Sequence, residues 1–163
     1  GQSETQGQFM FNIILFTPQI PPNTGNIIRL CANCGARLHL IRPLGFDLDE
    51  KSCRRAGLDY RDMALVSQYD DLDECLAALD NPRLFAITKF ATRTYTDAKF
   101  AAGDALLFGA ETTGLPDHVH DRLSSDEKLA LPMLAGNRSL NLSNAVSIVT
   151  YEAWRQCGFA PIS

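Results

Sequence analysis

No apolar run in this 163-residue chain approaches the roughly 18 residues that a bilayer-spanning helix needs, which excludes a helical membrane protein. A signal peptide is not expected either, because Gly1–Gln8 is polar and lacks a basic n-region. Residues 1–9 are read as a flexible tail, residues 10–163 as a single domain, and the cytoplasm as the address. The five cysteines are an odd number and make no disulfide framework. Cys31 and Cys34 form a C-x-x-C, but they fall in the later turns of an expected helix. A redox pair belongs at a helix N-terminus, where the dipole lowers the thiol pKa. Cys53, Cys75 and Cys157 are isolated, so no zinc set is completed and inert thiols are expected. His118 and His120 are two apart and point to different helix faces, and His39 alternates within a strand. No metal is expected.

Two phosphate-binding signatures are also missing. The dinucleotide fingerprint G-x-G-x-x-G is absent, and so is the phosphate loop G-x-x-x-x-G-K-[ST]. Gly109 and Gly114 have the right separation for the latter, but Leu115 and Pro116 stand where Lys and Ser/Thr belong. This disfavours an NTPase or a nicotinamide enzyme. An excess of basic residues is lacking as well. The net charge of −4 is unusual for a nucleic-acid-binding protein, although a local basic face is compatible with it.

What is present reads as one globular α/β domain. The chain is 45% hydrophobic and 21% charged, and it carries no internal repeat or linker. Strand-like and helix-like segments alternate, which predicts a mostly parallel sheet with helices on both faces. Strands are expected at Phe11–Phe16, Leu38–Ile41, near Ala64–Ser67, at Leu84–Thr88, Ala105–Phe108 and Leu129–Leu131. Helices are expected from Asn23 to Cys34, ended by Gly35, and over Lys51–Gly57, Asp70–Leu79 and Ser143–Gln156. Phe90–Gly103 is polar and irregular.

Three loops that follow apolar strands are rich in small or amide residues: PPNTGNIIR (21–29), FGAETTGLP (108–116) and LPMLAGNRSLNLSNA (131–145). Ligands of open α/β sheets sit outside the C-terminal strand ends, so the three loops predict one cleft. Glycines at 109 and 114 permit close backbone approach or positive φ. Glu111 is an acid in an otherwise uncharged loop. Ser139, Asn141, Ser143 and Asn144 crowd the start of the last helix, where one or two side chains would suffice for capping. The surplus points to ligand contacts at Ser139 and Asn141, with Ser143 and Asn144 starting the helix. Arg138 adds a cation suited to phosphate, and Arg29 is the lone charge of its helix. Lys51, Arg54 and Arg55, with Lys89 and Arg93, are candidate phosphate contacts for RNA.

The segments PPNTGNIIRLCAN, RRAGLDY, FGAETTGLP and SLNLSNAVSIVTYEAWRQ, in this order, resemble the SPOUT methyltransferases, specifically the TrmH-like branch of RNA ribose methyltransferases. The resemblance covers Phe11 to Gly158 and is tightest to the small single-domain enzymes that act on the tRNA wobble position. It loosens at Lys89–Thr94 and at Gly136–Asn137. The resemblance implies a C-terminal trefoil knot, whereas general rules alone predict an unknotted doubly wound sheet. It also implies a homodimer through the knot region and the C-terminal helix, with Tyr151 and Trp154 at the interface.

The implied reaction is S-adenosylmethionine-dependent methylation of the ribose 2′-hydroxyl of a wobble cytidine or modified uridine in tRNA, leucine tRNAs among them. RNA rather than DNA or membrane is the implied partner. The cofactor would lie near Ile87, Gly109, Leu131, Met133, Ser139 and Leu140. The family's motif residues fall on Asn23, Arg29, Glu111, Ser139 and Asn141; RNA contacts are expected at Arg54, Arg55 and Arg138. The family gives the proton-accepting role to the position of Arg29. A guanidinium with a pKa above about 12 is almost never neutral. Arg29 is therefore read as stabilising the developing alkoxide, with the adjacent phosphate relaying the proton. Two other classes stay open: a non-catalytic RNA-binding or assembly factor with the same fold, and a nucleotide-binding oxidoreductase, weakened by the missing glycine fingerprint.

Overall fold

A computed structural model describes residues 10–137 and 139–161; the tail expected at 1–9 and Arg138 lie outside the described residues. The six strands among these residues are β1 (Asn12–Phe16), β2 (Arg37–Ile41), β3 (Val66–Tyr69), β4 (Leu84–Ile87), β5 (Ala105–Phe108) and β6 (Lys128–Leu129). They form one sheet in the order β3-β2-β1-β5-β4-β6, and every pairing is parallel. Strands buried on both faces read as near-continuous apolar runs. In β1, Ile13 and Leu15 face one core while Ile14 faces the other; in β5, Leu106 and Phe108 oppose Ala105 and Leu107.

Among the described residues six α-helices cover the two faces: α1 (Pro21–Cys34), α2 (Glu50–Arg55), α3 (Tyr60–Met63), α4 (Leu72–Ala78), α5 (Asp117–Asp121) and α6 (Leu142–Gln156). On one face α1 supplies Ile27, Ile28 and Cys31, and α6 supplies Val146, Val149 and Ala153. On the other, α4 buries Leu72, Cys75 and Leu76, and α5 buries Val119. Each fully buried aliphatic chain contributes about 1.5–3 kcal/mol relative to exposure. Burial pushes the Cys31 thiol far up, with Cys34 beside it adding to the effect, and burial raises Cys34 too. Both shifts run opposite to what a reactive thiol pair requires.

Several boundaries differ from the sequence expectation for local reasons. Helix α1 starts at Pro21, two residues early, because the fixed proline φ suits a first helical turn and no N–H is needed there. The strand expected near Ala64–Ser67 begins at Val66. Helix α3 precedes it, fixed by a reciprocal Asp59–Asp62 capping box. At α6 the cap is Asn141, whose Oδ1 accepts from the Ser143 and Asn144 backbone N–H groups at 2.9 and 3.3 Å. Ser143 and Asn144 lie in the first turn, as expected, and are recipients of the cap, which Asn141 supplies.

His39 is the buried polar centre of β2. Its Nε2–H donates to Asn12 Oδ1 at 3.0 Å, and the Tyr69 hydroxyl donates to Nδ1 at 3.4 Å. Burial, helped by the Arg37 charge, pushes its pKa from 6.5 down to about 4. The folded state therefore holds a neutral ring that the unfolded chain would protonate. Stability from this site is intact above about pH 6.5 and drains as pH falls toward about 4, by about 3 kcal/mol in all. Denaturant titrations at about pH 7 and 4.5 should show that His39→Gln removes this slope. Parallel losses in the variant and the parent chain would rule the ring out as the source.

Candidate active site

Reading upward from the β5 sequence, ALLF runs straight into Gly109, and the next five residues fold back on themselves. Ala110 and Gly114 exchange backbone hydrogen bonds, Gly114 N–H to Ala110 O at 2.9 Å and Ala110 N–H to Gly114 O at 3.3 Å. The turn closes over Gly109 so tightly that a Cβ there would lie 2.3 Å from the Gly114 carbonyl carbon and 2.5 Å from Leu115 N. Gly114 itself takes φ 66°, the left-handed region that glycine occupies at no steric cost. Both positions thus favour glycine, the first for space and the second for φ, and the turn aims Glu111 toward the neighbouring loop.

Glu111 ties the first and second loops together. One carboxylate oxygen accepts from Gln19 N–H at 2.8 Å; the other accepts from Ile20 N–H at 2.9 Å and from Asn23 Nδ2 at 3.2 Å. Asn23 is buried, and its Oδ1 accepts from Asn141 Nδ2 at 3.0 Å. Asn141 spends its own oxygen on the α6 cap. A single chain of hydrogen bonds therefore runs from the end of β1 through Glu111 and Asn23 to the start of α6. Partial burial pushes the Glu111 carboxyl up, but the donors from Gln19, its own backbone, Ile20 and Asn23 outweigh it and hold the group below the usual range. An ionised carboxylate with this many donors orders both loops.

Beside this network lies a cavity of about 200 Å³ at the C-terminal ends of β4, β5 and β6. Its walls come from five segments: Ile87–Phe90 after β4, Phe108–Leu115, His120 of α5, Leu131 and Met133 with Ser139 and Leu140, and the first turn of α6 at Leu142 and Ala145. This is the expected end of a parallel sheet for a ligand. Ile87, Leu115, Leu131 and Leu140 offer apolar surface suited to a purine ring, and Thr88, Thr112, Thr113 and Ser139 offer hydroxyls. The close backbone at Gly109 leaves the floor free of a side chain. These residues fit an adenosine-type cofactor.

Ile87, Gly109, Leu131, Met133, Ser139 and Leu140, expected around a cofactor, line this one cavity, and Glu111 lines it too. Asn23 and Asn141 stand behind Glu111 rather than in the wall. Arg29 is exposed on α1, outside the lining, and makes no hydrogen bond or ion pair among the described residues. Six residues beyond Asn23, it sits about 9 Å along the helix and about 120° around it. Arg54 pairs with Glu50 at 3.0 Å on the exposed face of α2; Arg55 is exposed beside it. The first loop does not wall the cavity and reaches it through Glu111. Sequence reasoning passed over Thr88, Phe90 and His120. The usable signal was position: Thr88 and Phe90 follow an apolar strand directly, as the three chosen loops do.

The profile of the SpoU rRNA Methylase family matches residues 10–151. A Burkholderia ambifaria protein named tRNA (cytidine(34)-2'-O)-methyltransferase is 55% identical over 152 residues, which is 92% of this chain and 97% of the relative. A solved structure described as giving insights into the 2-OH methylation of C/U34 on tRNA superposes with a TM-score of 0.83 and 41% identity, covering 94% of this chain and all 100% of the other. The SpoU methyltransferase AviRb from Streptomyces viridochromogenes, solved in complex with AdoMet, shares the fold at a TM-score of 0.76 and 24% identity, covering 93% of this chain and 58% of that one.

Proposed function

The chain belongs to the SpoU rRNA Methylase family, and from that premise we propose that it methylates the ribose 2′-hydroxyl of the wobble nucleotide, cytidine or modified uridine, in tRNA. The observation that carries this reading is the convergence of Ile87, Gly109, Leu131, Met133, Ser139 and Leu140 on one cavity, next to the Glu111–Asn23–Asn141 network. High identity to relatives named for this reaction supports the substrate. Leucine tRNAs are the first to assay. A tRNA substrate is in keeping with a cytoplasmic address, and no helix among the described residues is long and apolar enough to cross a membrane.

S-adenosylmethionine, when bound, supplies a methyl group already activated on a sulfonium, with a neutral thioether as the leaving group. The six lining residues would hold it. The ribose 2′-hydroxyl would be the methyl acceptor and would have to give up its proton to a group beside it. Alignment carries much of such a reaction, because a fixed in-line geometry removes an entropic barrier. Glu111, Asn23 and Asn141 would act by fixing the loops, not by proton transfer. Arg29 would stabilise the alkoxide as it forms, while the neighbouring RNA phosphate takes the proton. Arg54, Arg55 and Arg138 are assigned to RNA phosphates.

The same reading includes a trefoil knot formed after Leu131 and a homodimer through that region and α6. The lining of one cavity by Leu131, Met133, Ser139 and Leu140 together with Ile87 and Phe108 at the ends of β4 and β5 supports the first. Support for the second comes from α6, where Ile148 and Tyr151 are 39% exposed, three residues apart on one face. Trp154 is half-buried against Tyr151 and Phe159, and its indole N–H donates to Ala160 O at 2.8 Å. A dimer would also widen the basic face of a chain whose net charge is −4.

Calorimetry with S-adenosylhomocysteine should show saturable binding, and mass spectrometry should find a 2′-O-methyl mark at the wobble nucleotide of tRNA treated with the chain and cofactor. Binding of tRNA should weaken steeply with salt, by about 10³-fold or more between about 50 and 200 mM if six or more phosphates are contacted. Cofactor binding without any transfer would favour the non-catalytic factor. Absence of cofactor binding would sink the proposal.

A further inference from the structure

The turn after β4 begins with Thr88. Its carbonyl accepts from Ala91 N–H at 3.4 Å and its hydroxyl from Phe90 N–H at 3.3 Å. That short turn throws the Phe90 ring outward at the rim of the cavity, where it is 71% exposed. A single exposed phenylalanine is ordinary and needs no account. Phe90 differs in that three further observations meet on it. It lines the cavity together with His120. His120 meets it edge to face, with centroids 5.6 Å apart and planes at 77°, which favours one ring orientation. The Lys89 ammonium lies 5.3 Å from its centroid, a cation–π contact that places a positive charge beside the ring.

We propose that Phe90 is a stacking platform for the nucleobase attached to the reacting ribose, with Lys89 facing the adjoining phosphate. The proposal rests on the methyltransferase reading of this cavity. The chemistry is that of single-stranded RNA recognition: an unpaired base presents an apolar face that stacks on an aromatic ring, and its phosphate pairs with a cation nearby. Folding gains little from a ring left this open, so the exposed area is available to a partner. Its place on the rim, rather than in the cavity floor, suits a group arriving from solvent on RNA. A base held there would keep its own ribose next to the cavity assigned to the cofactor. Phe90 would be a positioning residue that sets the pose of the nucleotide.

The experiment compares the full chain with Phe90→Ala and Phe90→Trp, using an anticodon stem-loop RNA and the same RNA made abasic at the target nucleotide. Phe90→Ala should raise the KM for the intact RNA about tenfold, from the loss of one base–aromatic stack. Its S-adenosylhomocysteine affinity should match the parent chain, and Phe90→Trp should restore the KM. On abasic RNA the parent and Phe90→Ala chains should have the same KM, because no base remains to stack. An equal tenfold penalty on intact and abasic RNA would overturn the proposal. So would weakened S-adenosylhomocysteine binding at unchanged RNA KM, since the ring would then hold the cofactor and not the base. A parent chain that binds S-adenosylhomocysteine but methylates no RNA would fail at the earlier step, taking the methyltransferase reading with it.

Discussion

Replacing Arg29 with Ala is expected to lower methyl transfer to tRNA by about 10²–10³-fold, the usual cost of removing one donor from a developing oxyanion. Affinity for S-adenosylhomocysteine should not change. The structure supplies the reason for the split. Arg29 is exposed, lies outside the cavity wall, and has no partner among the described residues whose loss would disturb the fold. Its helix is anchored by Ile27, Ile28 and Cys31 on the opposite side, so truncation of the arginine leaves that packing intact. The effect should therefore appear in kcat and not in cofactor binding. Arg29→Lys keeps the charge but loses the planar fork, and should recover only part of the rate. The measurements are single-turnover transfer rates and calorimetry on each variant. An Ala variant as active as the parent would remove Arg29 from the chemistry.

Gly109→Ala is expected to do the reverse: cofactor affinity is lost together with activity. The added methyl would sit 2.3 Å from Gly114 C, 2.7 Å from Gly114 Cα and 2.5 Å from Leu115 N. All three are backbone atoms, so no side chain can swing aside, and the turn itself must open. Opening it displaces Glu111, with its acceptors for Gln19, Ile20 and Asn23. Overpacking of this kind costs about 1–3 kcal/mol of stability. Gly114→Ala is the informative comparison. Nothing lies within 4 Å of its Cβ position, and the strain comes only from φ 66°. That substitution should cost about 1 kcal/mol and leave measurable cofactor binding. Thermal unfolding and calorimetry on the two variants test the contrast. Cofactor affinity in Gly109→Ala equal to that of the parent chain would show that the close approach is not needed.

Much of the cavity is legible in the sequence, because its walls are built from local signals. Glycines 109 and 114, the small and hydroxyl residues after β5, and the polar run before α6 each stand immediately after an apolar segment. What could not be read was how they connect. Asn23 and Glu111 are 88 residues apart, and Asn141 reaches Asn23 across 118. No periodicity encodes a contact at such distance. The Asn141 cap was missed for a related reason. Its side chain serves both the helix and Asn23, a double use that reading Asn141 as a site residue alone leaves out. The Phe90–His120 pair was missed because Phe90 lies in a stretch with no period at all.

The sequence by itself determined the parallel α/β class, the helix end at Gly35, the ALLF strand and the family resemblance. These follow from hydrophobic spacing, turn chemistry and contiguous motifs, which act over a few residues. Only the tertiary structure decided which loops form the wall and which stand behind it, that Arg29 lies outside the cavity, and that His39 is neutral and buried. Those outcomes depend on where strands distant in sequence are set side by side, and on the desolvation and hydrogen bonding that packing imposes once they are.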